Sequence, residues 1–135
     1  MILVDTSVLI DYLKGIDNET SRVLDAVVER GIPFGISAYT YQEVLQGARD
    51  EAEYAQLAAN LSTQKIYVLP AEPEVFAQAA RLYFDLRRKG KTVCSSIDLL
   101  IARTAIHHQL ELLHNDRDFD VIASVAKALK VFKAA

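Results

Sequence analysis

The sequence has a single cysteine, Cys94, and no tryptophan. A lone cysteine cannot form a disulfide bond within the chain, and no His or Asn stands at a recognisable spacing from it, so we expect Cys94 to be a small buried hydrophobe rather than a nucleophile. No apolar run approaches the roughly 20 residues that a membrane-spanning helix needs. The apolar N-terminus is interrupted by Asp5 and Asp11 and lacks a basic flank, which argues against a signal peptide. These absences favour a cytoplasmic protein.

Glycine and proline are also scarce, with five and three among 135 residues. The glycines never fall in the spacings GxGxxG or GxxxxGK, so the sequence gives no support for a nucleotide cofactor. Hydrophobic residues make up 51% of the chain and charged residues 24%, which is typical of a globular protein. The length is that of one domain, and we expect this domain to span residues 1–135.

The chain is short of positive charge, with a formal net charge of -3. Because backbone phosphates attract basic surfaces, the net charge alone argues against a nucleic-acid partner. The basic residues are nevertheless clustered, in Arg81, Arg87, Arg88, Lys89 and Lys91 and again in Lys127, Lys130 and Lys133. Such clusters are most often solvated faces of helices. The alternative is a basic strip that binds RNA through Arg81, Arg87, Arg88 and Lys91.

Short apolar or β-branched runs alternate with longer segments of helical period. The runs are ILVD, PFGIS, KIYVL, ELLHN and LKVF. This alternation predicts an α/β fold in three layers, α/β/α, with a central, mostly parallel sheet of about four to five strands. Between Glu72 and Lys89 the apolar spacing predicts a helix that buries one stripe, formed by Val75, Phe76, Ala79, Leu82, Tyr83 and Leu86.

Certain acidic residues fall where the predicted strands end. Asp5 ends the first strand, with Thr6 or Ser7 expected to cap the next helix, and Asp116 follows the fourth strand. Acids in these places lie at the carboxyl edge of a parallel sheet, where open α/β folds bind their ligands. Glu43 lies about a turn and a half into the helix that Ser37 begins and can point over the same edge.

The fourth acid, Asp98, lies in the first turn of the helix SSIDLLIARTAI, which Ser95 or Ser96 caps. Each acid has an ordinary explanation: Asp5 and Asp116 could form turns, Asp98 could complement the helix dipole, and Glu43 could simply be exposed. If all four converge, however, their repulsion calls for a cation. Oxygen ligands without a convincing set of His or Cys ligands favour Mg²⁺ or Mn²⁺ over zinc.

Four segments, in order, carry a family resemblance: LVDTSVLIDYL, YQEVLQGA, IDLLIARTAI and LLHNDRDF. The chain resembles the PIN-domain ribonucleases and, within them, the VapC toxins of toxin–antitoxin pairs. The resemblance spans nearly the whole chain and implies a single PIN domain over 1–135. It implies that Asp5, Glu43, Asp98 and Asp116 are catalytic metal ligands, with Asp118 as a further ligand. It places Thr6, Ser7 and Asn115 next to these ligands.

Two positions depart from the family pattern, since Asn115 stands where many members have Thr or Ser and Arg103 replaces a small residue. The resemblance implies Mg²⁺-dependent hydrolysis of RNA phosphodiester bonds, with Mn²⁺ as a possible substitute. It also implies a homodimer and a VapB-type antitoxin whose C-terminal segment blocks the acidic pocket. Two alternatives remain open: a stand-alone PIN nuclease acting in RNA processing or on structured DNA, and a non-catalytic PIN interaction module.

Overall fold

A computed structural model describes residues 1–91 and 95–133, so Cys94 lies outside the described residues. Its strands are β1 (Ile2–Val4), β2 (Phe34–Ser37), β3 (Lys65–Tyr67), β4 (Glu111–Leu113) and β5 (Lys130–Val131). They form one parallel sheet in the order β3-β2-β1-β4-β5. The prediction of a mostly parallel sheet of four to five strands is confirmed.

Helices cover both faces of this sheet. They are α1 (Thr6–Leu13), α2 (Glu19–Glu29), α3 (Ala38–Gln46), α4 (Glu51–Leu61), α5 (Pro73–Arg88), α6 (Ser96–His107) and α7 (Arg117–Val125). Successive strand residues point to opposite faces, so Leu3 packs with α5, α6 and α7, whereas Ile2 and Val4 pack with α1, α2, α3 and α4. All three residues of β1 are buried, as expected for a strand covered on both faces. The predicted three-layer architecture is confirmed.

The strand order places a topological switch point at β1. The chain passes from β1 to β2 and β3 on one side and then continues with β4 and β5 on the other. In open α/β sheets the crevice at the carboxyl ends of such neighbouring strands is the usual ligand site. The residues that follow β1 and β4 therefore meet at one edge.

Helix α5 buries a narrower stripe than its sequence predicts. Val75, Ala79, Leu82 and Leu86 are buried, but Phe76 is 44% exposed and Tyr83 is 39% exposed. The prediction that Phe76 and Tyr83 belong to the core is wrong. Each follows a buried residue by one position, which turns it about 100° around the helix from the buried stripe.

Among the described residues, none of the helices has both the length and the apolar character needed to cross a membrane.

Candidate metal centre

Asp5 connects β1 to α1 and is itself the N-cap of α1. Its Oδ2 accepts hydrogen bonds from the Ser7 backbone nitrogen at 3.2 Å and from Ser7 Oγ at 2.7 Å. The prediction that Thr6 or Ser7 caps this helix is therefore wrong, because the acid supplies the capping oxygen. Asp5 is 4% exposed, and burial raises its pKa although the Ser7 hydrogen bonds and nearby His114 oppose the rise. Ser7 thus fixes the carboxylate through Oδ2 and does not engage Oδ1.

Asp116 repeats this arrangement between β4 and α7. It is the N-cap of α7, and its Oδ1 accepts from the Asp118 backbone nitrogen at 2.9 Å. Its own backbone nitrogen donates to His114 Nδ1 at 3.2 Å. Because Nδ1 accepts this hydrogen bond, a neutral His114 ring carries its hydrogen on Nε2. Nε2 lies 3.3 Å from Asp120 Oδ1, but the two atoms do not have the geometry of a hydrogen bond. The His114 side chain, only 6% exposed, therefore anchors the turn that holds Asp116.

Asp98 occupies the first turn of α6, where Ser95 is the N-cap and its Oγ accepts from the Asp98 backbone nitrogen at 3.3 Å. Burial raises the pKa of Asp98 to about 6, and repulsion from four other carboxylates adds to the rise, those of Asp5, Asp116, Glu43 and Asp118. One carboxylate oxygen from each of Asp98, Asp116 and Asp118 lies within 4.8 Å of the others. The structure thus brings these acidic residues together at the carboxyl edge of the sheet.

Glu43 reaches this cluster from α3, which begins after the N-cap Ser37 as predicted. Its Oε1 accepts a hydrogen bond of 2.7 Å from Thr6 Oγ1. Glu43 is half-buried, and α3 packs against α6, which carries Asp98. Thr6 and Ser7, adjacent at the start of α1, therefore hold one acid each: Thr6 contacts Glu43 and Ser7 contacts Asp5.

This set of donors fits a divalent cation. Carboxylates placed this close repel one another, and this repulsion adds to the rise that burial causes in the pKa of Asp98. A bound cation of charge two would relieve it. Carboxylate oxygens are the ligands that Mg²⁺ and Mn²⁺ prefer.

The two positions that depart from the family pattern are Asn115 and Arg103. Asn115 is exposed in the turn before Asp116. Arg103, on α6, faces α5, where its guanidinium donates to Gln78 Oε1 and where burial lowers its pKa.

The predicted RNA-binding residues belong to α5 and the segment just after it, not to the acidic cluster. Arg81 forms an exposed ion pair of 3.1 Å with Asp85. The guanidinium carbons of Arg87 and Arg88 each lie 5.6 Å from an exposed aromatic ring, that of Tyr83 and that of Phe84 respectively. Lys91 Nζ donates to Ser124 Oγ on α7 at 3.0 Å.

The sequence interpretation missed His114 and Thr40. Thr40 is fully buried, and its Oγ1 lies 3.0 Å from Thr6 Oγ1. Thr40 precedes Glu43 by three positions in the same helix, and this spacing places both side chains on one face. The spacing is a sequence signal that could have identified Thr40 as a neighbour of Glu43. His114 gave no such signal, because a histidine at the end of a strand is not specific.

A three-layer α/β/α domain with carboxylates gathered at its switch point defines an α/β protein with a candidate cation site, and comparison with known proteins identifies its family. The PIN-domain profile matches residues 2–125. Ribonuclease VapC11 of Mycobacterium tuberculosis is 33% identical over 130 residues, which cover 93% of each chain. The chain therefore belongs to the PIN-domain family, as its four motifs predicted.

Solved structures show the same fold. One is the crystal structure of VapBC2 from Rickettsia felis bound to a DNA fragment from their promoter, with a TM-score of 0.75, 20% identity and 100% of both chains covered. Another is FitAcB from Neisseria gonorrhoeae, with a TM-score of 0.71 and 24% identity over 98% of this chain and 97% of that one.

Proposed function

We propose that this protein is a divalent-cation-dependent endoribonuclease that hydrolyses RNA phosphodiester bonds, with Mg²⁺ as the cation and Mn²⁺ as a possible substitute. The observation that carries the proposal is the convergence of Asp98 with Asp116 and Asp118, which each bring a carboxylate oxygen within 4.8 Å of the others. A pocket of hard oxygen ligands suits a cation that also binds phosphate oxygens. Membership of the PIN-domain family and the likeness to a VapC ribonuclease favour RNA as the substrate.

In this proposal Asp5, Glu43, Asp98 and Asp116 hold the cation, and Asp118 is a further ligand. A bound divalent cation would lower the pKa of the attacking water and neutralise charge on the phosphate. The protein's own part is to hold the ligands in place. Ser7 orients Asp5, Thr6 orients Glu43, and the Asp118 backbone nitrogen orients Asp116. No side chain needs to form a covalent intermediate.

The test is cleavage of a defined RNA by the purified protein, in Mg²⁺ and in EDTA. Asp98→Asn keeps the size of the side chain but removes a ligand charge, and we expect it to reduce the cleavage rate about 100-fold or more. Glu74→Gln is the matched control, since Glu74 is an exposed acid in the first turn of α5. Full activity of Asp98→Asn, or equal cleavage in EDTA, would contradict the proposal and would leave a non-catalytic interaction module as the better interpretation.

We further propose that the protein acts as the toxin of a VapBC pair, inhibited by a VapB-type antitoxin. An acidic pocket would attract a basic side chain of such a partner. A separate cleft between α1, α3 and α4, with apolar walls that include Ile10, Leu13, Val44 and Leu57, could hold a further segment of such a partner. We expect a small protein encoded next to this one to co-purify with it and to abolish its RNA cleavage. A stand-alone nuclease would co-purify with no such partner.

The proposal includes a homodimer and an RNA-binding surface on α5. Bases of unpaired RNA can stack on exposed aromatic rings while arginines contact the phosphates. Tyr83 and Phe84 are exposed beside Arg87 and Arg88, which favours such contacts. Sedimentation equilibrium of the purified chain tests the dimer, and a mass equal to one chain at micromolar concentration would contradict it.

A further inference from the structure

A row of three hydroxyl groups lies behind Glu43. Ser37 Oγ is 3.2 Å from Thr40 Oγ1, Thr40 Oγ1 is 3.0 Å from Thr6 Oγ1, and Thr6 Oγ1 is 2.7 Å from Glu43 Oε1. Ser37 and Thr40 are fully buried. The row joins the end of β2, the first turn of α3 and the start of α1, and it ends on the acid that α3 supplies.

The hydrogens of this row can be assigned from chemistry. Each hydroxyl has one hydrogen to donate, and an ionised carboxylate only accepts. The Thr6 hydrogen is therefore used on Glu43 Oε1, so in the contact between the two threonines Thr40 must donate to Thr6. Ser37 donates in turn to Thr40 Oγ1 and accepts from the Thr40 backbone nitrogen at 3.0 Å. Every hydrogen bond in the row then points toward Glu43.

We propose that Ser37 and Thr40 are positioning residues that act on Glu43 through Thr6. This inference rests on the proposed function, because it takes Glu43 as a cation ligand. By holding Oε1, the row restricts the rotation of a flexible side chain and leaves Oε2 outside the row. Residues that orient metal ligands in this way commonly change metal affinity 10- to 100-fold when they are replaced.

The role of the Thr40 hydroxyl can be separated from the capping of α3. The capping bond uses the Thr40 backbone nitrogen and Ser37 Oγ, whereas the row uses the Thr40 side chain. Thr40→Val keeps the backbone, the volume and one methyl group but removes the hydroxyl. Thr40→Ser restores the hydroxyl. A matched control is Thr104→Val, since Thr104 is equally buried but its hydroxyl bonds, among the residues that the structure describes, only to the Leu100 carbonyl of its own helix.

The experiment measures Mn²⁺ binding to the full chain without RNA, by the electron paramagnetic resonance signal of free Mn²⁺. We expect Thr40→Val to raise the Kd about 10- to 100-fold. Thr40→Ser and Thr104→Val should bind like the wild type. Because Thr40 acts through Thr6, the double variant Thr6→Val with Thr40→Val should bind no more weakly than Thr6→Val alone.

The outcomes separate this inference from the proposed function. If the wild type binds Mn²⁺ and Thr40→Val binds it equally well, the positioning role is wrong and the nuclease proposal stands. Additive losses in the double variant would also overturn the role, because they would show that Thr40 acts independently of Thr6. If the wild type does not bind Mn²⁺, the proposed function fails and the positioning role fails with it. Should Thr40→Val not fold, as judged by circular dichroism, loss of Mn²⁺ binding by Thr6→Val with rescue by Thr6→Ser supports the row, and unchanged binding overturns it.

Discussion

Replacing Asp98 by asparagine should stabilise the cation-free protein at neutral pH, although it removes a proposed ligand. Burial and the neighbouring acids raise the pKa of Asp98 from 3.8 to about 6. Since the pKa of the folded state lies above that of the unfolded state, Asp98 contributes stability only while it is protonated. This contribution is fully present below about pH 4 and is lost as the pH rises through about 6. At pH 7.5 the ionised carboxylate opposes folding.

The magnitude follows from the same shift. A rise of about two pKa units corresponds to about 3 kcal/mol, and partial exposure of Asp98 reduces this through screening to about 1–2 kcal/mol. Asparagine gives up the favourable interaction of a charge with the start of α6, about 0.3–1 kcal/mol. The net gain is then about 1 kcal/mol, or an increase of about 3 °C in Tm for a chain of this size.

The assay is thermal and urea unfolding in EDTA at pH 7.5 and at pH 4. Asp98→Asn should be more stable than the wild type at pH 7.5 and equally stable at pH 4, whereas Glu74→Gln should gain nothing at either pH. Saturating Mn²⁺ should reverse the order, because a ligand at 100 times its Kd stabilises the protein by about 2.7 kcal/mol. An Asp98→Asn variant that is no more stable at pH 7.5, or whose gain persists at pH 4, would refute the argument that burial and charge repulsion destabilise the ionised Asp98 side chain.

Three further predictions concern the cation, the RNA and the sheet. The Mn²⁺ affinity should fall below about pH 6 because binding must displace the Asp98 proton, and calorimetry giving equal Kd values at pH 5.5 and 7.5 would contradict this. In the Asp98→Asn background, replacing both Arg87 and Arg88 by Gln should weaken the binding of unpaired RNA, measured by fluorescence anisotropy. It should also lower the slope of log Kd against log salt concentration by about 1.4. An unchanged slope would show that these arginines do not contact the RNA phosphates. Gly35→Ala should cost about 1–3 kcal/mol in urea unfolding, since its Cβ would lie 2.7 Å from the Lys65 carbonyl oxygen; unchanged stability would show that β3 can shift.

The strands and most of the architecture could be predicted because their signals are local. The run Ile2–Val4 is apolar throughout and is buried on both faces, as a central parallel strand must be. The prediction of helix α5 is confirmed, but the sequence also predicts that Phe76 and Tyr83 belong to its buried stripe, and both are exposed. Periodicity gives the angle of a side chain around its own helix, and it does not show how wide a stripe the neighbouring helices cover.

The sequence alone does not resolve the role of Asp5, and it favours Thr6 or Ser7 as the cap of α1. A carboxylate that ends a strand can cap the next helix or can face a ligand, and the same residue type serves both. In the structure Asp5 caps through Oδ2, and Asp116 caps through Oδ1. Each keeps a second oxygen that the cap does not use. Capping therefore does not compete with cation binding but fixes the carboxylate for it.

The acids differ in how far along the chain their supports lie, and this difference decides which of them is vulnerable to remote substitutions. Asp5 and Asp116 are held by residues two positions further on, so any chain that forms the turn also orients the acid. Glu43 is held by Thr6, 37 positions away, and Thr6 in turn contacts Thr40. That support exists only when β1 and β2 pair and bring α1 against α3. A small shift between these two helices should therefore change Glu43 first, and with it the affinity for the cation, while the capped acids keep their places.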